Sequence, residues 1–417
     1  MNPNFLSNRT IRLLLMLVGI VVCVLAMRSA SLLAMSRMFV RYSQATGNSW
    51  TAQRAIAMTP SDADTYRTRA AVSVAQAPAG AVADLERAVS LRPADYSLWM
   101  DLGLARDQNG DAAGALAAFD QAVARAPYYA MPHWQRGNLL LRMGQYDAAF
   151  NDLNQAAESN PELIPAFIDL SWSLAKSDAK VTAQLVRVNT KSGHTALARF
   201  FASHGKPEEA LQQLDAAGVV ADDIRGELVE RLIQKESFKE AYKVWSSGRS
   251  IENTPIFDGG FETSLSFDQG GFNWRIPRQL QAVSISLDST EPHSGAKNLR
   301  IEFAGDSVPG NNLAAQLVIV EPSRHYQLNF AARSEDIVSG GLPVVVVTDA
   351  AGERKIVGKS APISRGTTGW TSMTFDFTTQ PTTSGIVLGI QRQSCTTGPC
   401  PIFGAASFDS FSLVPVK

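Results

Sequence analysis

A ladder of constant spacing constrains this chain more than any other feature. Gly103 recurs as Gly137 and Gly110 as Gly144, each 34 residues apart. Three-membered series keep the same step: Ala81, Ala115 and Ala149; Leu85, Phe119 and Leu153; Ala88, Ala122 and Ala156; Pro93, Pro127 and Pro161. A fixed period of this length marks a stack of small units, each unable to bury its apolar face alone. Within each unit the residue types assign their own places. Small residues at Gly103 and Ala115 allow two helices of one unit to approach closely, while Phe119 and Leu153 are of a size to fill the space between successive units. Gly110 and Gly144 suit left-handed turns, and the prolines stop the second helix, because proline cannot continue a helix interior.

With Trp99, Leu102, Gly103, Ala115, Phe119, Ala122 and Pro127 in its signature places, the stretch resembles the tetratricopeptide repeat family. Arg136 stands where that family usually has leucine, and the first unit lacks the Trp and Gly of the pattern. Weaker echoes follow at Gly205, Ala210 and Leu214 and at Phe238, Ala241 and Trp245, so the expected α-solenoid spans residues 48–248. The resemblance implies a partner protein. Tyr128, Tyr129, His133 and Trp134 cluster near one junction and are read either as packing residues or as contacts to that partner.

Upstream, residues 13–27 read LLLMLVGIVVCVLAM without interruption, and Arg28 precedes a milder Leu-rich stretch. Fifteen apolar residues are short for a membrane span, which needs about 20; the length is reached if Arg28 snorkels to an interface. A cleaved signal peptide is the rival, with Arg9 and Arg12 as its basic start, but no A-x-A site follows and the residues around Cys23 make no lipoprotein box. The expectation is a short cytoplasmic tail over 1–12 and a transmembrane anchor over 13–35. Arginines on both sides leave the orientation undecided by charge.

After position 250 the helical period gives way to short alternating runs, among them NLRIEF, YQLNFAA, PVVVVTD, TSMTFDF and GIVLGIQ, separated by Gly, Pro, Ser and Asp. About eight or nine such strands predict an antiparallel β-sandwich or jelly roll over 251–417. The phrases GGFE, HSGAKNLRIEF, SRHYQLNFAAR, GWTSMTFDF and SFDSFSL, in that order, resemble the galactose-binding-like jelly rolls of carbohydrate-binding modules. The resemblance implies aromatic and polar sugar contacts, for which Trp274, Tyr326, Trp370, Arg333 and Arg392 are the candidates, with Gln316 and His293 as further polar ones. It also implies a structural calcium held by Glu262 and Asp409; the plain alternative is that both are ordinary turn carboxylates. No other cofactor is expected.

Cys395 and Cys400 lie in a polar Gly/Pro stretch with no second Cys or His pair to complete a zinc site. A local disulfide is the better reading, and it places this region outside the cytoplasm. Together with the sandwich type, this favours a bacterial inner-membrane protein with its bulk in the periplasm.

Chemistry is sparse. The string GERKIVGKS resembles a phosphate-binding loop, but its glycines are one residue too far apart and Ala361-Pro362 follows where a helix should start. The five histidines are scattered, and no nucleophile elbow occurs. A net charge of −1 argues against a nucleic-acid binder, which requires a clustered positive surface. The reading is therefore a non-catalytic scaffold holding a partner protein and contacting glycan, of the kind found beside exopolysaccharide machinery. A general envelope assembly factor whose sandwich docks only protein is the alternative; an enzyme acting on polysaccharide would need two carboxylates facing across a groove.

Overall fold

The computed structural model describes residues 9–249, 254–267, 271–395 and 399–416. Most of the expected tail before the span, and the junction at 250–253, lie outside them. The chain divides into two compact units, Met1–Val188 and Asn189–Lys417.

The first unit is all helical. It runs through α1 (Arg9–Thr46), α2 (Ser49–Met58), α3 (Ala63–Ser73), α4 (Pro78–Leu91), α5 (Tyr96–Gln108), α6 (Ala112–Arg125), α7 (Ala130–Arg142), α8 (Tyr146–Ser159), α9 (Ile164–Leu174) and α10 (Ala179–Val186). Caps set the starts: the Asn48 side chain accepts from the Trp50 and Thr51 amides, and Asp62, Asp95, Asp111 and Asp178 cap their helices likewise. Gly110 and Gly144 carry φ of +83° and +75°, the left-handed turns expected of them. Helices α4, α6 and α8 stop two residues before Pro93, Pro127 and Pro161.

Gly103 explains itself by contact. A Cβ there would stand 2.5 Å from the Phe119 ring, and one at Gly137 would stand 2.9 Å from Leu153. Phe119 thus lies on the glycine of its own helix pair, and it also reaches Leu139 of the next. The large residue closes its own unit as well as the gap between units.

Helix α1 has 38 residues, about 57 Å at 1.5 Å per residue. One helix from Arg12 to Thr46 is long and apolar enough to cross a membrane. It does not stop where the apolar run ends. Ser36 donates to the Ala55 carbonyl at 3.2 Å and lies 2.7 Å from the Thr59 hydroxyl, and Ser43 donates to the Asn48 carbonyl. The same helix that carries the apolar run therefore becomes the first helix of the solenoid, earlier than the expected start at 48.

The second unit opens with α11 (Lys191–Ser203), α12 (Pro207–Ala217), α13 (Asp222–Gln234) and α14 (Phe238–Ser246), then turns to strands. These are β1 (Ser266–Phe267), β2 (Arg275–Ile276), β3 (Val283–Asp288), β4 (Asn298–Gly305), β5 (Ala314–Ile319), β6 (His325–Ser339), β7 (Pro343–Asp349), β8 (Ile356–Lys359), β9 (Gly366–Thr378), β10 (Gly385–Arg392) and β11 (Ile402–Pro415). One sheet has the order β1-β2-β5-β10-β7-β8 and the other β3-β4-β11-β6-β9. All described pairings are antiparallel except β1 with β2. Alternation sends Leu299, Ile301, Phe303, Leu328, Phe330 and Phe408 into the core between the sheets. The string that resembled a phosphate loop holds edge strand β8, not a turn before a helix.

Strands β7 and β10 are buried along nearly their whole length, so the six-stranded sheet is covered on both faces at these strands. Its outer cover is helical. Phe238 packs on Gly385, where a Cβ would stand 2.8 Å from the ring. Trp245 meets Phe257 at 5.1 Å and Phe272 at 5.5 Å between ring centroids. Phe238, Ala241 and Trp245, read from sequence as a weak repeat, include the residues that join α14 to the sandwich.

Candidate ligand and partner sites

The five-stranded sheet offers the open face. On it Ser286, Arg300, Ser407 and Arg333 line up across β3, β4, β11 and β6, and Ser284, Glu302, Ala405 and Glu335 form the next row. Small residues at the centre leave a shallow floor between charged flanks. Arg300 bridges Glu302 at 2.9 Å and Glu335 at 2.7 Å. Beyond this bridge lies a depression of about 750 Å³ lined by Ser286, Asp288, Glu291, Arg333 and Thr368.

Arg333, which lines that depression, packs on Trp370 beside it. The guanidinium carbon lies 5.2 Å from the indole centroid, and the indole Nε1 donates to the Glu291 carbonyl at 2.9 Å. Arg333 also pairs with Asp288 at 3.3 Å and Glu291 at 3.4 Å, and the His293 ring stands edge-on to Trp370 at 5.6 Å. Burial pushes the Asp288 carboxyl up, but hydrogen bonds from Thr290 and the charges of Arg333 and Arg300 outweigh it and hold the group below its ordinary value.

Three of the five expected sugar contacts are elsewhere. Trp274 is 4% exposed, packed on Phe261 and Phe411, with Nε1 bonded to the Asp258 carbonyl. Tyr326 is 6% exposed, stacked on Phe377, and its hydroxyl accepts from the Glu321 amide. Arg392 is 1% exposed. None can touch a sugar without opening the core, which corrects the expectation for these residues. The reason is strand phase: position 326 shares its face with Leu328 and Phe330, and residue type does not reveal which face is inward. Gln316 is buried too; its amide exchanges two hydrogen bonds with the Phe257 backbone and stands in for a neighbouring strand.

Glu262 and Asp409 are engaged by backbone donors. The Glu262 carboxylate accepts from the Ala296 amide at 2.9 Å, and Asp409 accepts from the His293 and Ser294 amides at 2.9 and 3.0 Å. These N–H groups point at the oxygens a calcium ion would need. Among the described residues no group of three or more His, Cys, Asp or Glu is placed to hold a metal.

In the first unit, Tyr128 is 84% and Tyr129 59% exposed at the turn before α7, and Tyr129 lies 5.2 Å from the Tyr96 ring. Their expected neighbour His133 is instead buried, between Asp152 at 2.9 Å and the Pro127 carbonyl at 2.9 Å. Arg136, the departure from the repeat pattern, has a structural use: it binds Asp152 at 2.6 Å and Asp120 at 2.9 Å. Trp134 is half-buried. The exposed surface is the tyrosine pair, and His133 belongs to packing. Asp101, which pairs with Arg67 at 2.6 Å, has its carboxyl pushed up by burial.

Among curated proteins none matches this sequence. Among solved structures, the MamA protein is 16% identical over 52% of this chain and 96% of its own, with a TM-score of 0.31. A structure described as CBM4 is 13% identical over 39% of this chain and 99% of its own, also at 0.31. YrrB, described as a TPR protein with an unusual peptide-binding site, is 18% identical over 49% of this chain and 90% of its own, at 0.29. The tetratricopeptide repeat family model matches residues 69–130, and a second model of that family matches 133–163. Over those residues the chain carries tetratricopeptide repeats.

Proposed function

We propose that this protein is a non-catalytic scaffold of the bacterial envelope, anchored in the inner membrane by α1 with its bulk in the periplasm. The repeats hold a partner protein, and the open face of the five-stranded sheet contacts polysaccharide during surface or exopolysaccharide synthesis or export. The observation that carries the reading is the match of the repeats to a family built for protein interaction. The exposed pair Tyr128 and Tyr129 supplies the anchor type favoured at interfaces. For the glycan, Trp370 supplies an aromatic ring beside the hydrogen-bonding groups of Arg333, Asp288 and Glu291. Binding on such an open face should be weak, because sugar hydroxyls lose water and recover only part of that cost.

The test is affinity electrophoresis of the full chain against polysaccharides from its own organism, beside Trp370→Ala and Arg333→Ala. Loss of retardation in folded variants supports the glycan site. No retardation of the wild type favours the second reading, an assembly factor whose sandwich docks protein. One observation points that way: both Arg300 and Arg333 are already paired with carboxylates.

A further inference from the structure

Cys395 and Cys400 are disulfide-bonded, and the two sulfurs sit in unlike surroundings. The Cys400 sulfur lies 2.9 Å from a terminal nitrogen of Arg392, and the same guanidinium nitrogen donates to the Cys400 carbonyl at 2.6 Å. The other terminal nitrogen is bonded to the carbonyl and hydroxyl of Ser307 at 3.0 and 2.9 Å. All these acceptors are neutral. Among the described residues no carboxylate is hydrogen-bonded to Arg392, on which the charge of Asp306 acts without contact, and its Nε has no hydrogen-bond partner. Cys395 faces the other way. It lines a depression of about 510 Å³ with Ile337, Val338, Pro399 and Phe403, and Val338 and Phe403 are exposed. Gly340 and Gly341 let the sulfurs sit against the backbone, since a Cβ on either would stand 2.9 Å from the Cys395 sulfur or 3.1 Å from that of Cys400.

We propose that this disulfide is a polarised thiol-exchange site, in which an external thiolate attacks Cys395 from the open depression and Cys400 leaves as a thiolate against Arg392. The step balances without further reagents. The incoming thiolate forms a bond to the Cys395 sulfur, the Cys395–Cys400 bond breaks, and its electron pair stays on Cys400. A second thiol of the reductant then resolves the mixed disulfide, releasing Cys395 and leaving the reductant oxidised. Two facts set the direction. Exchange is faster when the leaving thiol is the more acidic, and an arginine beside a sulfur favours its thiolate. A buried cation with no carboxylate in contact is also costly, and the Cys400 thiolate supplies a charge at contact distance. Desolvation lowers the Arg392 pKa in the oxidised protein, opposed in part by the charge of Asp306. Reduction therefore relieves a cost that the oxidised form carries, so the bond is readily reduced.

The test uses the full-length oxidised protein in detergent with reduced glutathione at pH 7, acid quench, alkylation of free thiols and peptide mass spectrometry. The expected product carries glutathione on Cys395 and the alkyl group on Cys400, in about tenfold excess over the reverse. Glutathione on Cys400, an even distribution, or no reduction under conditions that open a simple peptide disulfide would each overturn the proposal. In the fully reduced protein, the pH midpoint of iodoacetamide alkylation should be below about 7.5 at Cys400 and nearer 8.5 at Cys395. Arg392→Gln should raise the Cys400 midpoint to that of Cys395. If that variant does not fold, the wild-type regiochemistry and the two midpoints decide alone, and equal midpoints reject the proposal.

Discussion

The Phe238 ring of α14 lies on Gly385 at the start of β10, so closely that a Cβ at 385 would come within 2.8 Å of it. The pair makes the last helix part of the sandwich. Phe238→Ala should destabilise the second unit by about 3–5 kcal/mol, and Gly385→Ala by about 1–3 kcal/mol, through a cavity and a clash respectively. Urea unfolding of a fragment spanning Asn189–Lys417 measures both. A fragment of 251–417 should be less stable than this one, since it uncovers Phe257 and Phe272. Equal midpoints for the two fragments would show that α14 contributes nothing.

Within the repeats, Gly103 and Phe119 should behave as a coupled pair. Gly103→Ala places a methyl group against the Phe119 ring. Phe119→Ala should cost about 3–5 kcal/mol. The double variant should cost less than the sum, because removal of the ring abolishes the clash. A double-mutant cycle by thermal unfolding reads the coupling; strict additivity would refute the contact.

The site around Arg333 should be sensitive to acid. Asp288 is held below its ordinary pKa in the folded protein. A depressed carboxylate contributes stability above its unfolded value, about 3.9, and loses it as pH falls through the folded value. The stability difference between wild type and Asp288→Asn should therefore be constant near neutrality and shrink only below about pH 4. A difference that varies between pH 5 and 8 would point to another group.

Chelation should leave the sandwich unchanged. Glu262 and Asp409 are satisfied by amides of 293, 294 and 296, so EDTA should not shift the melting temperature. Asp409→Ala should lower it, since the buried Asp409 carboxylate is the acceptor for the amides of 293 and 294, hydrogen bonds to a charged group worth about 1.5–3 kcal/mol each. A melt that falls with EDTA and recovers with calcium would restore the ion to this place.

Deleting residues 1–34 should release the protein from membranes without unfolding the repeats, because the first helix contacts begin at Ser36. Alkaline extraction of membranes followed by circular dichroism of the released protein tests both halves. Release together with loss of helicity would mean that the apolar run belongs to the fold.

The sequence alone determined the repeats, the apolar run and the strand-rich end. The reason is local: a ladder such as Gly103 and Gly137, a run from 13 to 27 or an alternation such as NLRIEF is written in neighbouring residues and enforced by helix and strand geometry. The disulfide of Cys395 and Cys400 was legible for the same reason. What only tertiary structure decided was which way side chains face and what meets them across the fold. Trp274 and Tyr326 look like sugar contacts until strand phase turns them inward, whereas Trp370 stays half-buried beside Arg333. Phe238 and Trp245 read as a fading repeat, although their partners Gly385, Phe257 and Phe272 lie far along the chain. Arg392 is ordinary in sequence, and only the fold buries it without a carboxylate against a sulfur. Such pairings rest on close packing between distant segments, which no local period encodes.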